Sequence, residues 1–142
     1  MISFETERLV EWGDCDPAGI VFYPNFYRFM DGHYHQFLFA LSCDHGKLKT
    51  KFGLLGTPLR DSGCTFHAPA YADEEITLSS QLVHLGTSSL KLNYTIKCED
   101  RLVAEGFELR VAVAASQNGI EKRAFPEEVR NALLGHLSQD KG

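Results

Sequence analysis

The sequence has 142 residues, which predicts one domain spanning 1–142 and argues against two ordinary domains. Apolar residues make up 44% and charged residues 23%, the balance of a globular protein with a normal core. The net charge is −5, with 14 Lys and Arg against 19 Asp and Glu, so sequence-independent binding to nucleic acid is not expected.

The sequence also lacks the patterns of export, membrane insertion and zinc binding. No stretch approaches the ~20 apolar residues of a membrane helix, so no membrane partner is expected. The first residues lack a basic segment followed by an apolar run, so we expect no secretory leader and a cytoplasmic protein. The four cysteines stand far apart without zinc spacing, which predicts free thiols and no metal site.

In chain order, a first strand is followed by a polar loop and then by the strongest helix signal in the sequence. That helix runs from Pro24 to about Leu41, with apolar residues at the i, i+3, i+4, i+7 spacing of one buried stripe. Period-2 alternation between short turns predicts most of the later strands. The remaining predicted segments are a strand over 2–12, a helical turn over 44–52, strands over 57–67, 74–85, 88–99 and 101–115, a turn at 117–119 before a short returning strand, and a C-terminal helix over 126–137.

This order predicts an α+β fold, in which one long helix packs against one curled antiparallel sheet. One helix cannot cover a wide sheet, so we expect dimerisation through the sheet edge or face. His33 falls on the apolar stripe of the helix and is predicted to be a packed core histidine. It points about 200° away from His35, so the two cannot chelate a metal ion together.

The loop before the helix is the most informative segment. Residues 13–26 (GDCDPAGIVFYPNF) place Asp14 and Asp16 in a Pro- and Gly-containing turn beside the helix N-terminus. The unpaired N–H groups of a first helical turn can stabilise a developing oxyanion, and a nearby carboxylate can act as base or nucleophile. From spacing alone, a loop with two solvated or capping aspartates is the simpler interpretation.

The segment resembles the signature of the hot-dog-fold thioesterases, in particular the 4-hydroxybenzoyl-CoA thioesterase branch. That signature reads D-x-D-x-x-G followed by a Y-x-N start of the central helix. The similarity extends through Asp31, resumes at 53–58 (GLLGTP) and 71–74 (YADE), and covers about residues 5–115. The resemblance implies a hot-dog fold, in which the sheet wraps the long helix. It also implies hydrolysis of an aromatic acyl-CoA, with 4-hydroxybenzoyl-CoA as the expected substrate.

The resemblance implies a role for individual residues. Asp16 matches the catalytic carboxylate, as either nucleophile or general base. Tyr23 matches the residue whose backbone N–H binds the thioester oxygen. Asp31 matches the position that accepts a hydrogen bond from the 4-hydroxyl of the acyl group. The alternative for Asp31 is a helix-surface aspartate that faces solvent or pairs with Arg28.

Two further residues complete the expected substrate-binding set. Thr57 resembles a position lining the acyl pocket. Gly19 allows the sharp turn into the helix, although an ordinary loop glycine is an equal alternative. Asp14 matches a structural position of the loop. The family implies no metal and no cofactor other than the CoA of the substrate.

The implied partners are the acyl-CoA and other copies of the chain. Active sites in this family form between subunits, which implies at least a homodimer, with a homotetramer expected. One departure concerns the CoA phosphates, because 85–88 (LGTS) replaces a basic cluster at this turn in the closest family members. Substitute candidates are Arg60, Lys91, Arg110, Lys122 and Arg123, although for each of them an ordinary surface cation is the simpler interpretation.

Two other functions are compatible with the sequence. A thioesterase for aliphatic acyl-CoA or acyl-carrier-protein substrates is favoured by the missing basic turn, and disfavoured by the aromatic helix and Asp31. A non-catalytic module that only binds acyl thioesters is disfavoured by Asp16, because a pure binder needs no carboxylate beside the helix terminus.

Overall fold

A computed structural model describes residues 3–139 of the chain. Most helices and strands lie where the sequence predicts them, with ends that differ by a few residues. In chain order they are β1 (Phe4–Leu9), α1 (Pro24–Ala40), α2 (His45–Thr50), β2 (Leu59–Phe66), β3 (Glu75–Leu85), β4 (Ser89–Cys98), β5 (Arg101–Val111), β6 (Val113–Ser116), β7 (Gly119–Lys122) and α3 (Glu127–Leu134).

The first five strands form one antiparallel sheet in the order β1-β3-β4-β5-β2. Strands β1 and β2 are therefore its two edges. Helix α1 lies on one face of the sheet and buries its aromatic stripe against that face. The predicted α+β plan, one long helix against a single antiparallel sheet, is confirmed.

The contact between α1 and the sheet depends on a glycine in β5. A Cβ atom on Gly106 would lie 2.6 Å from Sδ of Met30 and 2.9 Å from the carbonyl oxygen of Gly63. The sulfur of Met30 ends a flexible side chain and could move aside, but the carbonyl oxygen of Gly63 belongs to the backbone of β2, so a side chain at position 106 would strain the pairing of β2 with β5. Gly106 also leaves the space in which Met30 of α1 packs against β5.

The prediction of one strand over 101–115 is wrong. Strand β5 ends at Val111, and Val113 then pairs with the segment before β2 instead of extending the sheet. Its N–H donates to the carbonyl of Gly56 at 3.1 Å, and its carbonyl accepts the N–H of Leu55 at 2.9 Å. These bonds draw the chain out of the main sheet, and β6 and β7 form a separate hairpin.

Within residues 3–139, no helix is both long and apolar enough to cross a membrane.

Candidate active site

The carboxylate of Asp14 is buried and anchors the loop that precedes α1. Its Oδ2 accepts the backbone N–H of Glu11 at 2.8 Å, and its Oδ1 lies 3.4 Å from Nη2 of both Arg8 and Arg28. The backbone carbonyl of Asp14 accepts Nδ2–H of Asn25 at 2.8 Å. The loop is thereby tied to the first turn of the helix, which supports a structural role for Asp14.

Asp16 lies half-buried in the same loop. Its Oδ1 accepts the backbone N–H of Ala18 at 2.8 Å, and its backbone N–H donates to the carbonyl of Ile20 at 2.9 Å. Oδ2 of Asp16 has no hydrogen-bond partner among residues 3–139. Gly19 closes the turn at a φ of +82°, a conformation that favours glycine. The turn therefore orients one carboxylate oxygen and leaves the other available to a ligand.

The start of α1 presents a free backbone donor. Tyr23 is the N-cap residue and Pro24, which has no N–H, follows it. The next donor along the chain, the N–H of Asn25, is bonded to the carbonyl of Phe22 at 2.9 Å. The N–H of Tyr23 finds no acceptor in the part of the chain that the structure describes. The positive end of the helix dipole strengthens this donor toward a partial negative charge.

An apolar cavity of about 410 Å³ lies beside this donor. The side chain of Tyr23 is 60% exposed and forms part of the cavity wall. The rings of Tyr23 and Phe26 lie 6.3 and 5.5 Å from that of Phe66, centre to centre. The other lining residues are Ile20, Val21, His67, Ala68, Pro69 and Ala70.

Asp31 lies two helical turns further along α1, where it pairs with a residue from the sheet. Its Oδ1 lies 2.9 Å from Nη2 of Arg110, and its Oδ2 lies 3.4 Å from Nε2 of His35. The alternative of a pair between Asp31 and Arg28 is wrong, because Arg28 contacts Asp14 at the start of the helix.

Sequence reasoning missed the importance of Arg110. Its side chain is only 4% exposed, so the expectation of an ordinary surface cation is wrong for this residue. Burial opposes the charged guanidinium, but the hydrogen bonds and charge of Glu108 outweigh this and raise the pKa of Arg110. Strand alternation places Glu108 and Arg110 together on one face of β5, but it does not indicate that this face is the buried one.

Thr57 lines a second cavity, of about 300 Å³, together with Arg110 and His35. The Thr57 hydroxyl lies 2.7 Å from the hydroxyl of Tyr34, a residue whose pKa burial raises to about 12. The structure thus forms two groups from the predicted site residues. Asp16 and Gly19 lie in the loop that leads to Tyr23 at the helix start, whereas Thr57 and Asp31 are linked through Arg110.

His33 is buried in the core, as predicted, and bonds to a strand on each side. Its Nδ1 lies 2.6 Å from the hydroxyl of Thr6 in β1, and its Nε2 lies 2.7 Å from that of Ser80 in β3. Burial lowers the pKa of His33 to about 4. Residues 3–139 contain no cluster of three or more His, Cys, Asp or Glu side chains that could hold a metal ion.

Comparisons with known proteins agree with this architecture. The 4-hydroxybenzoyl-CoA thioesterase of Pseudomonas sp. strain CBS-3 has a similar structure, with a TM-score of 0.85 over 93% of this chain and 99% of that one, at 22% identity. In sequence it is 29% identical over 79 residues, which cover 55% of this chain and 56% of that relative. This likeness confirms the hot-dog fold.

Two further relatives are more similar in sequence. A 1,4-dihydroxy-2-naphthoyl-CoA hydrolase of Thermosynechococcus vestitus is 30% identical over 112 residues, or 79% of this chain and 71% of the relative. A gentisyl-coenzyme A thioesterase of known structure is 31% identical, with a TM-score of 0.79 over 92% of this chain and 99% of that one. The family described as the Thioesterase-like superfamily matches residues 10–133. The chain belongs to this superfamily.

Proposed function

We propose that this acyl-CoA thioesterase hydrolyses an aromatic acyl-CoA with a ring hydroxyl, and that 4-hydroxybenzoyl-CoA is its first candidate substrate. The spacing of two groups on one helix supports the proposal. The free N–H of Tyr23 and the Asp31 carboxylate are eight residues apart, about 12 Å along the helix axis. This is the length scale of one aromatic ring with a hydrogen bond at each end.

The proposed reaction uses the two groups at the helix start. The thioester oxygen accepts the N–H of Tyr23, which stabilises the negative charge that develops as the carbonyl carbon is attacked. Asp16 either removes a proton from the attacking water or attacks the carbon itself, and water then releases the acid. In both cases the C–S bond breaks, and the products are the free acid and the thiol of CoA. No cofactor is proposed beyond the CoA of the substrate.

The names of the relatives support a hydroxylated aromatic acyl group. The three enzymes described above act on 4-hydroxybenzoyl, 1,4-dihydroxy-2-naphthoyl and gentisyl thioesters of CoA. The 1,4-dihydroxy-2-naphthoyl group is therefore the second candidate.

The proposed assembly is at least a homodimer, and a homotetramer is expected. We place the contact between two subunits at strand β2. This strand is an edge of the sheet, and both of its terminal side chains, Leu59 and Phe66, are 46% exposed. A partner on this edge would cover those side chains and the open side of the apolar cavity, which Phe66 lines. The substrate would then bind between two subunits.

The test is a panel of acyl-CoAs assayed for release of free thiol. Wild type should have a higher kcat/KM for 4-hydroxybenzoyl-CoA than for benzoyl-CoA, and Asp31→Ala should reduce that ratio roughly tenfold to a hundredfold, because a charged acceptor is lost. Hexanoyl-CoA is the control and should be little affected. If Asp31→Ala lowers kcat/KM equally for all three substrates, Asp31 has a structural role and the proposed specificity for aromatic acyl groups is wrong.

A further inference from the structure

Asp31 is held from one side by a buried cation. Nη2 of Arg110 lies 2.9 Å from Oδ1 of Asp31, whose side chain is 46% exposed, whereas that of Arg110 is 4% exposed. A half-exposed ion pair adds little to stability, because solvent screens it. Its effect on orientation is larger, since a fixed guanidinium holds one oxygen of the carboxylate in one place.

The guanidinium of Arg110 is fixed by three other groups. Its Nε and Nη2 donate to the two oxygens of Glu108 at 3.1 and 2.9 Å, and its Nη1 donates to the carbonyl of Thr57 at 3.0 Å. The guanidinium carbon also lies 4.0 Å from the centre of the Tyr34 ring. Arg110 therefore has a single orientation, set by the sheet, the segment before β2 and the helix together.

Neutralising Arg110 does not require Asp31. Glu108 is 1% exposed, accepts Nε–H and Nη2–H along one edge of the guanidinium and also accepts the hydroxyl of Tyr94. The buried charge of Arg110 is thus already balanced by a buried carboxylate. The contact with Asp31 is additional, and Arg110 itself lines the cavity that Thr57 and His35 also line.

We propose that Arg110 is a positioning residue for substrate selectivity, which holds Oδ1 of Asp31 so that Oδ2 receives the hydroxyl of the acyl group. The inference rests on the proposed function, in which Asp31 reads that hydroxyl. Oδ2 lies 3.4 Å from Nε2 of His35, longer than a usual N–H···O bond, so it can accept a stronger donor. Arg110 acts on the substrate only through Asp31.

The variant that tests this is Arg110→Lys, which keeps the positive charge but loses the planar fork. The ratio of kcat/KM for 4-hydroxybenzoyl-CoA to that for benzoyl-CoA should fall about tenfold, the loss expected for one charge-assisted hydrogen bond. The kcat/KM for benzoyl-CoA should fall less than that for 4-hydroxybenzoyl-CoA, because benzoyl-CoA has no hydroxyl for Asp31 to accept. Arg130→Lys is the control, because Nη1 of Arg130 also donates to a backbone carbonyl, that of Gly86 at 2.6 Å, away from this cavity.

A double-mutant cycle separates positioning from general structure. In the Asp31→Ala background, Arg110→Lys should not change the ratio further, since the group through which it acts is gone. Circular dichroism monitors folding. If Arg110→Lys does not fold, the pair Arg110→Gln with Glu108→Gln leaves no unpaired buried charge and should reproduce the loss of selectivity.

Each result has a distinct meaning. A wild type without preference for the hydroxylated substrate overturns the proposed substrate and this inference with it. A preference that Asp31→Ala removes, but that the Arg110 variants leave intact, overturns this inference alone. An equal fall in kcat/KM for both substrates shows that Arg110 does not act through Asp31. The same conclusion follows if Arg110→Lys lowers the ratio as much in the Asp31→Ala background as in wild type.

Discussion

At the scale of single residues, two carboxylates of the loop before α1 have contrasting surroundings. Asp14 is buried, and its oxygens meet the N–H of Glu11 and the guanidinium groups of Arg8 and Arg28. Asp16 is half-buried and uses one oxygen to order its own turn. A carboxylate whose partners are all within the protein stabilises the fold, whereas one with an available oxygen can act on a ligand.

Replacing Asp16 by Asn should therefore affect turnover and spare the fold. The amide keeps the shape of the side chain but removes its negative charge and basicity, so kcat should fall on the order of 10²-fold or more. Thiol release from 4-hydroxybenzoyl-CoA measures the loss, and denaturant unfolding should give a free energy close to that of wild type.

Asp14→Asn is the matched control for this variant. It weakens the contacts with both arginines, so it should lower the free energy of unfolding by about 1–3 kcal/mol. A wild-type rate in Asp16→Asn would show that the assigned mechanism is wrong.

The positions of Asp16 and Tyr23 beside the start of α1 could be predicted from the sequence, but the burial of Arg110 could not. Asp16 and Tyr23 lie in a compact motif whose spacing is visible along the chain. In β5, by contrast, the alternation of Phe107, Leu109 and Val111 suggests that these side chains face the core and that Glu108 and Arg110 face solvent. The structure has the reverse arrangement, because the charged pair is buried under α1 and satisfies its own polar groups.

At the scale of elements, His33 connects α1 to both β1 and β3 through the hydroxyls of Thr6 and Ser80. The histidine lies in the core with its ring edge-on to those of Phe4 and Tyr94. Sequence periodicity was sufficient to place His33 on the buried stripe of the helix. Its two partners could not be predicted, since they depend on the pairing of strands that are distant in sequence.

The low pKa of His33 makes stability depend on pH. The unfolded chain binds a proton near pH 6.5, whereas the folded protein does so near pH 4, because burial opposes the charge. The unfolded state therefore gains protons first, and the free energy of unfolding should fall by about 3 kcal/mol as the pH drops from 7 to 4.

Urea unfolding across this range, in wild type and in His33→Gln, measures that contribution. The variant should be less stable at pH 7 and should lose less stability on acidification. His84→Gln replaces an exposed histidine and should leave the wild-type slope unchanged. An unchanged slope in His33→Gln would mean that other groups cause the acid sensitivity.

At the scale of the whole molecule, the sheet has uncovered surfaces that the single chain does not explain. Edge strand β2 has no neighbour on its outer side within residues 3–139. Phe107, Leu109 and Val111 lie half-exposed on the face opposite α1. The sequence predicted an assembly, because one helix cannot cover a wide sheet. It did not indicate whether subunits meet at the edge of the sheet or at its face.

We expect an oligomer at micromolar concentration, which sedimentation or light scattering would detect. Leu59→Glu places a charge on the free edge of β2 and should weaken the assembly, because a buried charge in the interface has no partner. Leu134→Glu is the matched control: Leu134 is 45% exposed, close to the 46% of Leu59, but it lies on α3. A stable wild-type monomer would contradict the proposal that the active site lies between two subunits.

The donor at Tyr23 is a backbone group, and this limits how mutation can reach it. Every amino acid except proline presents a backbone N–H at that position. Substitution of Tyr23 can therefore change the cavity wall without removing the donor. Alanine scanning would miss its contribution for the same reason. Asp16 has no such protection, because a single base change can delete its carboxylate. Under the proposed mechanism, the site therefore combines a backbone donor that tolerates substitution with a carboxylate that does not, and changes of acyl specificity can arise at position 23 without loss of the donor.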